Sequence, residues 1–115
     1  MIDSSSTFPT ADELLAGAAL SFDVIVPPHL LQRDEAASDE AKALTVTLRP
    51  LTIGTFQLIM KATRQEPGLI PLLMIKESMV NPQLSLEQVR GMSLGMVNFF
   101  IGHIRQISGL GEKKT

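Results

Sequence analysis

The side chains able to do chemistry in this chain are few and scattered. There are two histidines, His29 and His103, far apart in sequence, and no cysteine. His103 sits in an apolar run. A metal site needs three or four ligands at workable spacing, and nothing beside either histidine supplies them, so a satisfied structural role is the expectation. The acid pairs Asp34-Glu35 and Asp39-Glu40 are the carboxylates to weigh. General acid–base work needs one of two carboxyls desolvated against the other. These pairs lie in QRDEAASDEAK, a uniformly polar stretch that reads as a solvated connector. Gly91-Met92-Ser93-Leu94-Gly95 holds a serine between glycines, but the pattern places it within a helix. A nucleophilic serine of that motif stands on a strand-to-helix turn. No phosphate-binding glycine motif occurs. The expectation is a protein that is not an enzyme, with no catalytic residue, no metal and no cofactor.

Composition and charge narrow the class further. A chain of 115 residues with 44 % apolar content supports one modest core. Net charge is −2, unevenly spread: residues 1–40 carry eight acids and one base, residues 41–115 nine bases and four acids, giving −7 and +5. An acidic arm beside a more balanced body is expected, with residues 1–18 as a flexible arm bearing a short helix, 19–110 as a single domain and 111–115 as a flexible tail. Lys61, Arg64 and Lys76 are too sparse for a nucleic-acid surface. With no Tyr or Trp, Phe99 and Phe100 read as core rather than stacking platforms, so no nucleic acid is expected as partner. The most apolar run, Met92 to Ile104, falls well short of the roughly 20 residues a membrane span needs. No signal-peptide pattern opens the chain. A protein that is neither secreted nor membrane-bound is expected.

The elements follow from periodicity and punctuation. Thr10 can cap a short helix through Leu15. Leu20, Phe22, Val24 and Val26 alternate with Ser21, Asp23 and Ile25, predicting a strand that Pro27-Pro28 ends. Leu44, Val46 and Leu48 alternate likewise, predicting a second strand closed by Pro50. Thr52 can cap a helix over about 53–64, which Glu66-Pro67-Gly68 breaks. A helix over about 70–80 ends at Asn81-Pro82, because a residue before proline avoids the helical region.

The last predicted helix, over 84–110, carries the most signals. Ser85 and Gln88 form a capping box, Leu84 and Val89 a hydrophobic staple, and Gly109 with Leu110 a Schellman stop. Gly91, Gly95 and Gly102 share one side, where a second helix could approach closely. The predicted fold is α+β: a two-stranded antiparallel hairpin packed on a three-helix bundle, with an acidic N-terminal arm. The expected core is Phe22, Val24, Val46, Leu48, Phe56, Ile59, Leu73, Val89, Phe100 and Ile104.

More apolar residues remain than one core-facing stripe uses. Six methionines supply adaptable contacts, and Met74, Met79, Met92 and Met96 fall on the last two predicted helices. The partner-binding residues expected from this surplus are Met92, Met96, Phe99, Met79 and Leu94. Their partner is a segment of another protein or a second copy of this chain.

The run TVTLRPL ending at Leu51 resembles the second strand and following helix start of phage tail assembly chaperones. Asn81-Pro82-Gln83-Leu84-Ser85, followed by a helix closing Ile107-Ser108-Gly109-Leu110, is similar to the end of the same proteins. The resemblance covers residues 44–110 and rests on short motifs in the right order; the acidic N-terminal region has no counterpart in it. It implies a protein that coats the tape measure protein in the host cytoplasm during tail morphogenesis and is absent from the mature virion. The major tail tube protein is a further implied partner. A structural or adaptor subunit of a tail or related injection apparatus is the alternative. The family also implies a longer product made by −1 frameshifting. Glu112-Lys113-Lys114 can be encoded by GAA AAA AAR, which contains a slippery heptamer; a glutamate codon GAG or a Lys113 codon AAG removes that expectation.

Overall fold

The computed structural model describes residues 7–31 and 44–110. The acid pairs at 34–35 and 39–40 and the 112–114 sequence therefore lie outside the described residues. The architecture is α+β, a three-stranded antiparallel sheet with five α-helices among the described residues. In chain order these are α1 (Ala11–Leu15), β1 (Phe22–Val26), β2 (Leu44–Leu48), α2 (Ile53–Ala62), α3 (Ile70–Ser78), β3 (Met79–Asn81), α4 (Leu86–Arg90) and α5 (Leu94–Ile107).

Alternation sets the sheet. In β1, Val24 and Val26 are buried while Asp23 and Ile25 are exposed. β1 pairs with β2 in register from Phe22 opposite Leu48 to Val26 opposite Leu44. On the outer face, Thr47 Oγ1 donates to Asp23 Oδ1 at 2.9 Å, a cross-strand polar pair. β2 is the central strand, because β3 pairs along its other edge, with an irregularity between Thr47 and Leu48.

The third strand corrects the expected two-stranded hairpin. The helical pattern through Val80 stops two residues early: Met79 is extended at φ −77°, ψ 113°. Pairing with Leu48 and Thr47 offers Met79 and Asn81 ladder partners that a further helical turn would forgo. Met79 is thereby buried in the core, and Pro82 follows after a cis peptide bond.

The long C-terminal helix is also two helices. Ser85 and Gln88 form the expected capping box at α4. The chain then turns at Gly91, and Ser93 starts α5 afresh, its Oγ accepting from the Met96 N–H at 3.2 Å. At the far end the expected Schellman stop is present. Gly109 is left-handed at φ 77°, its N–H donates to Gln106 O at 3.3 Å, and the Leu110 N–H donates to Arg105 O at 2.6 Å.

The glycines do not mark a helix crossing. A Cβ at Gly102 would meet nothing within 4 Å, one at Gly95 would meet the Leu30 side chain, and one at Gly91 would meet carbonyls of its own turn. What Gly95 accommodates is the short 3-10 turn over Pro28–Leu31.

The core gathers Val24, Val26, Leu48, Ile59, Met74, Ile75, Met79, Val89, Phe100 and Ile104. Phe22, Val46, Phe56 and Leu73 are half-buried rather than central. α3 is the hub helix, packing on α2, α4 and α5. The arm stands apart: every residue from Thr7 to Ser21 is exposed. Its helix nevertheless has a complete capping box, with Thr10 Oγ1 accepting from the Glu13 N–H and Glu13 Oε1 from the Thr10 N–H.

Candidate partner-binding site

One end of the sheet is closed and the other opens into a recess. At the open end, Val26 and Leu44 face each other across the last rung of the hairpin. Leu31 from the 3-10 turn, Pro82 and Leu84 from the segment after β3, and Met92 and Met96 from the α4–α5 junction stand around them. Met79 and Phe100 form part of the lining. The recess holds about 180 Å³, and all ten of its lining residues, Val46 included, are apolar.

The local sequence explains why it opens there. The break over Gly91–Ser93 ends one helix and caps the next, so Met92 lies between two helices instead of inside one. It and Met96 are half-buried, with part of each side chain accessible. Thioether side chains at such a rim are unbranched and adapt to varied occupants.

Three of the five residues expected to bind a partner come together here: Met79 in the lining, and Met92 and Met96 beside it. Two do not join them. Leu94 projects from the first turn of α5, 82 % exposed. Phe99 packs edge-on against Phe100, with ring centroids 5.3 Å apart, and lies 4.7 Å from the His103 ring. Val26, Leu31, Leu44 and Pro82 join the recess without having been expected. The one signal for them is that Leu44 and Val26 start and end paired strands, while their neighbours in the recess come from other elements.

Groups with titratable side chains gather elsewhere. A shallow groove of about 660 Å³ runs beside β1, lined by Phe22, Asp23, Val24, Ile25, His103, Gln106 and Ile107. It places His103 and Asp23 in one groove, but the Asp23 carboxylate takes its hydrogen bond from Thr47. His29 is exposed on the 3-10 turn after β1. Ser93, between its glycines, is a helix cap rather than a nucleophile on a strand-to-helix turn. Among the described residues no cluster of three or more His, Asp or Glu could hold a metal ion, and no helix is long and apolar enough to cross a membrane.

Compared with protein-family models, with curated proteins and with solved structures, the chain matches none.

Proposed function

We propose that this protein is a tail assembly chaperone that holds apolar segments of a tape measure protein during phage tail morphogenesis. The observation that carries the reading is the recess framed by Met92 and Met96. An open hollow lined by apolar side chains favours an apolar side chain on an incoming segment, because both surfaces leave water together. A flexible methionine rim suits a client that offers many similar segments rather than one fixed epitope. The order of the TVTLRPL and Asn-Pro-Gln-Leu-Ser motifs supports the same reading through the family resemblance.

On this reading the chaperone acts in the host cytoplasm and keeps the tape measure protein soluble until tube subunits, the major tail tube protein among them, replace it. Any longer frameshift product would extend the chain beyond α5 and leave the recess unchanged. The test is co-expression with a phage tape measure protein. Met96→Asp places a charge at the rim and is expected to abolish co-purification while the circular dichroism spectrum stays that of the parent. A folded variant that keeps its client would sink the proposal. Mass spectrometry of purified particles separates a chaperone, which is lost, from a structural subunit, which stays.

A further inference from the structure

The N-terminal arm leaves more apolar surface uncovered than any other described segment. Phe8 is 97 % exposed, Leu14 72 %, Leu15 66 % and Leu20 54 %. Leu14 and Leu15 lie in α1, and Phe8 stands two residues before its Thr10 cap. Thr10 and Glu13 close a capping box on α1, so part of the arm is already ordered when a partner arrives, which lowers the entropy cost of docking it.

The same chain carries the complementary hollow. At about 180 Å³, the recess is of the size of the ~150 Å³ apolar cavity known to accept a benzene ring. Phe8 is the arm's one aromatic ring. Leu44, 44 % exposed on the recess wall, offers an apolar surface for a following leucine.

We propose that the arm of one copy docks on a second copy of this chain, with the Phe8 ring seated in the recess between Met92 and Met96.

Geometry favours a second copy over the arm's own body. The arm leaves the sheet at Phe22, opposite Leu48, whereas the recess lies at the other end of β1, by Val26 and Leu44. To reach its own recess the arm would have to reverse at Leu20-Ser21 and run back along the full length of β1. A second copy meets the arm as it stands. Charge adds to the contact without choosing between copies: residues 1–21 carry three acids and no base, and residues 44–110 six bases against three acids, so arm-to-body contact is attractive. Reciprocal exchange of two arms closes a dimer about a two-fold axis and leaves neither arm uncovered. The inference rests on the recess being a binding surface, as the proposed function does, and not on the identity of the client.

The absence of cysteine makes the test clean. A Thr7→Cys copy is mixed with a size-tagged Gln83→Cys copy and treated with a short bis-maleimide. These positions flank Phe8 and Pro82 and leave the ring and the recess lining intact. The expected result is a cross-linked pair of unequal copies, and a full-length chain that sediments as a concentration-dependent dimer. Phe8→Asp, at a fully exposed position, is expected to leave the circular dichroism unchanged and to weaken association about tenfold or more. Three results would overturn the inference: a doubly substituted chain that cross-links only within itself, a monomer at every concentration, or a Phe8→Asp chain that dimerises like the parent. Binding of an apolar helical peptide from the tape measure protein is then measured on the Phe8→Asp chain. Peptide binding without arm docking refutes this inference alone; arm docking without peptide binding refutes the proposed function alone.

Discussion

The two ends of the sheet are built from the same kinds of residue and end in opposite states. At the Leu48 end, Leu48, Ile75 and Ser78 are fully buried. The polar groups there are matched: Ser78 Oγ donates to Arg49 O, the Arg49 N–H donates to Ser78 O at 2.9 Å, and Arg49 Nε donates to Glu77 O at 3.1 Å. At the Val26 end, Leu44 of the same strand is exposed and Val46 half-buried among the described residues, beyond the reach of β3, which pairs with Thr47 and Leu48. The difference is one of neighbours, not of hydrophobicity. β3 and α3 seal one half of β2, and the broken α4–α5 segment roofs the other half incompletely. An apolar strand thus acts as core along part of its length and as binding surface along the rest.

Substitutions can break or sharpen that contrast. The largest effect is expected at Phe100, which is 3 % exposed and lies beneath the recess as well as in the core. Phe100→Ala should lower unfolding stability by about 3–5 kcal/mol in urea titrations, and an unchanged midpoint would refute its placement. Next come two leucines of one strand. Leu48→Ala at the closed end should cost about 2–5 kcal/mol, and Leu44→Ala at the open end less than about 1 kcal/mol. Equal costs in the same titration would show that the two ends do not differ as described. The smallest effect concerns α5. A methyl group at Gly102 meets open space, so Gly102→Ala should raise stability by about 0.5–1 kcal/mol through helix propensity. A loss of stability there would restore the close helix approach that the glycine spacing suggested.

The legible parts of this fold were those decided within a few residues. Thr10, Thr52 and Ser85 as caps, Gly109 as the left-handed stop and the alternation of β1 all depend on neighbours along the chain, and each appears in the structure, whereas β2 is strand as expected but grades from exposed Leu44 to buried Leu48. β3 was illegible because Met79 and Val80 read equally well as the end of an apolar helix; only Leu48, distant in sequence, decides otherwise. The α4–α5 break was hidden by Val89, Met92 and Met96, whose helical spacing runs on across it. Its local signals, Gly91 as helix end and Ser93 as cap, were present but outweighed. The recess was half legible. The surplus of methionines pointed to Met79, Met92 and Met96, yet a hollow is defined by what fails to cover a surface, and no short sequence window reports that. Leu94 and Phe99 show the limit: each is apolar beyond the core stripe, and neither reaches the recess.

The backbone N–H of Leu51, just past β2, donates to the Ser108 side chain at 2.8 Å, across most of the described domain. In the order of synthesis, the strand end is made long before its acceptor. The exit from the central strand is therefore fastened by the last turn of the last helix. A chain cut short before Ser108 keeps its hairpin sequence, its caps and most of its apolar residues, but lacks this clasp and leaves a partly buried donor without a partner. Completion of the domain therefore waits on α5, and a chain that ends before Ser108 forgoes about 1–3 kcal/mol at the exit of its central strand.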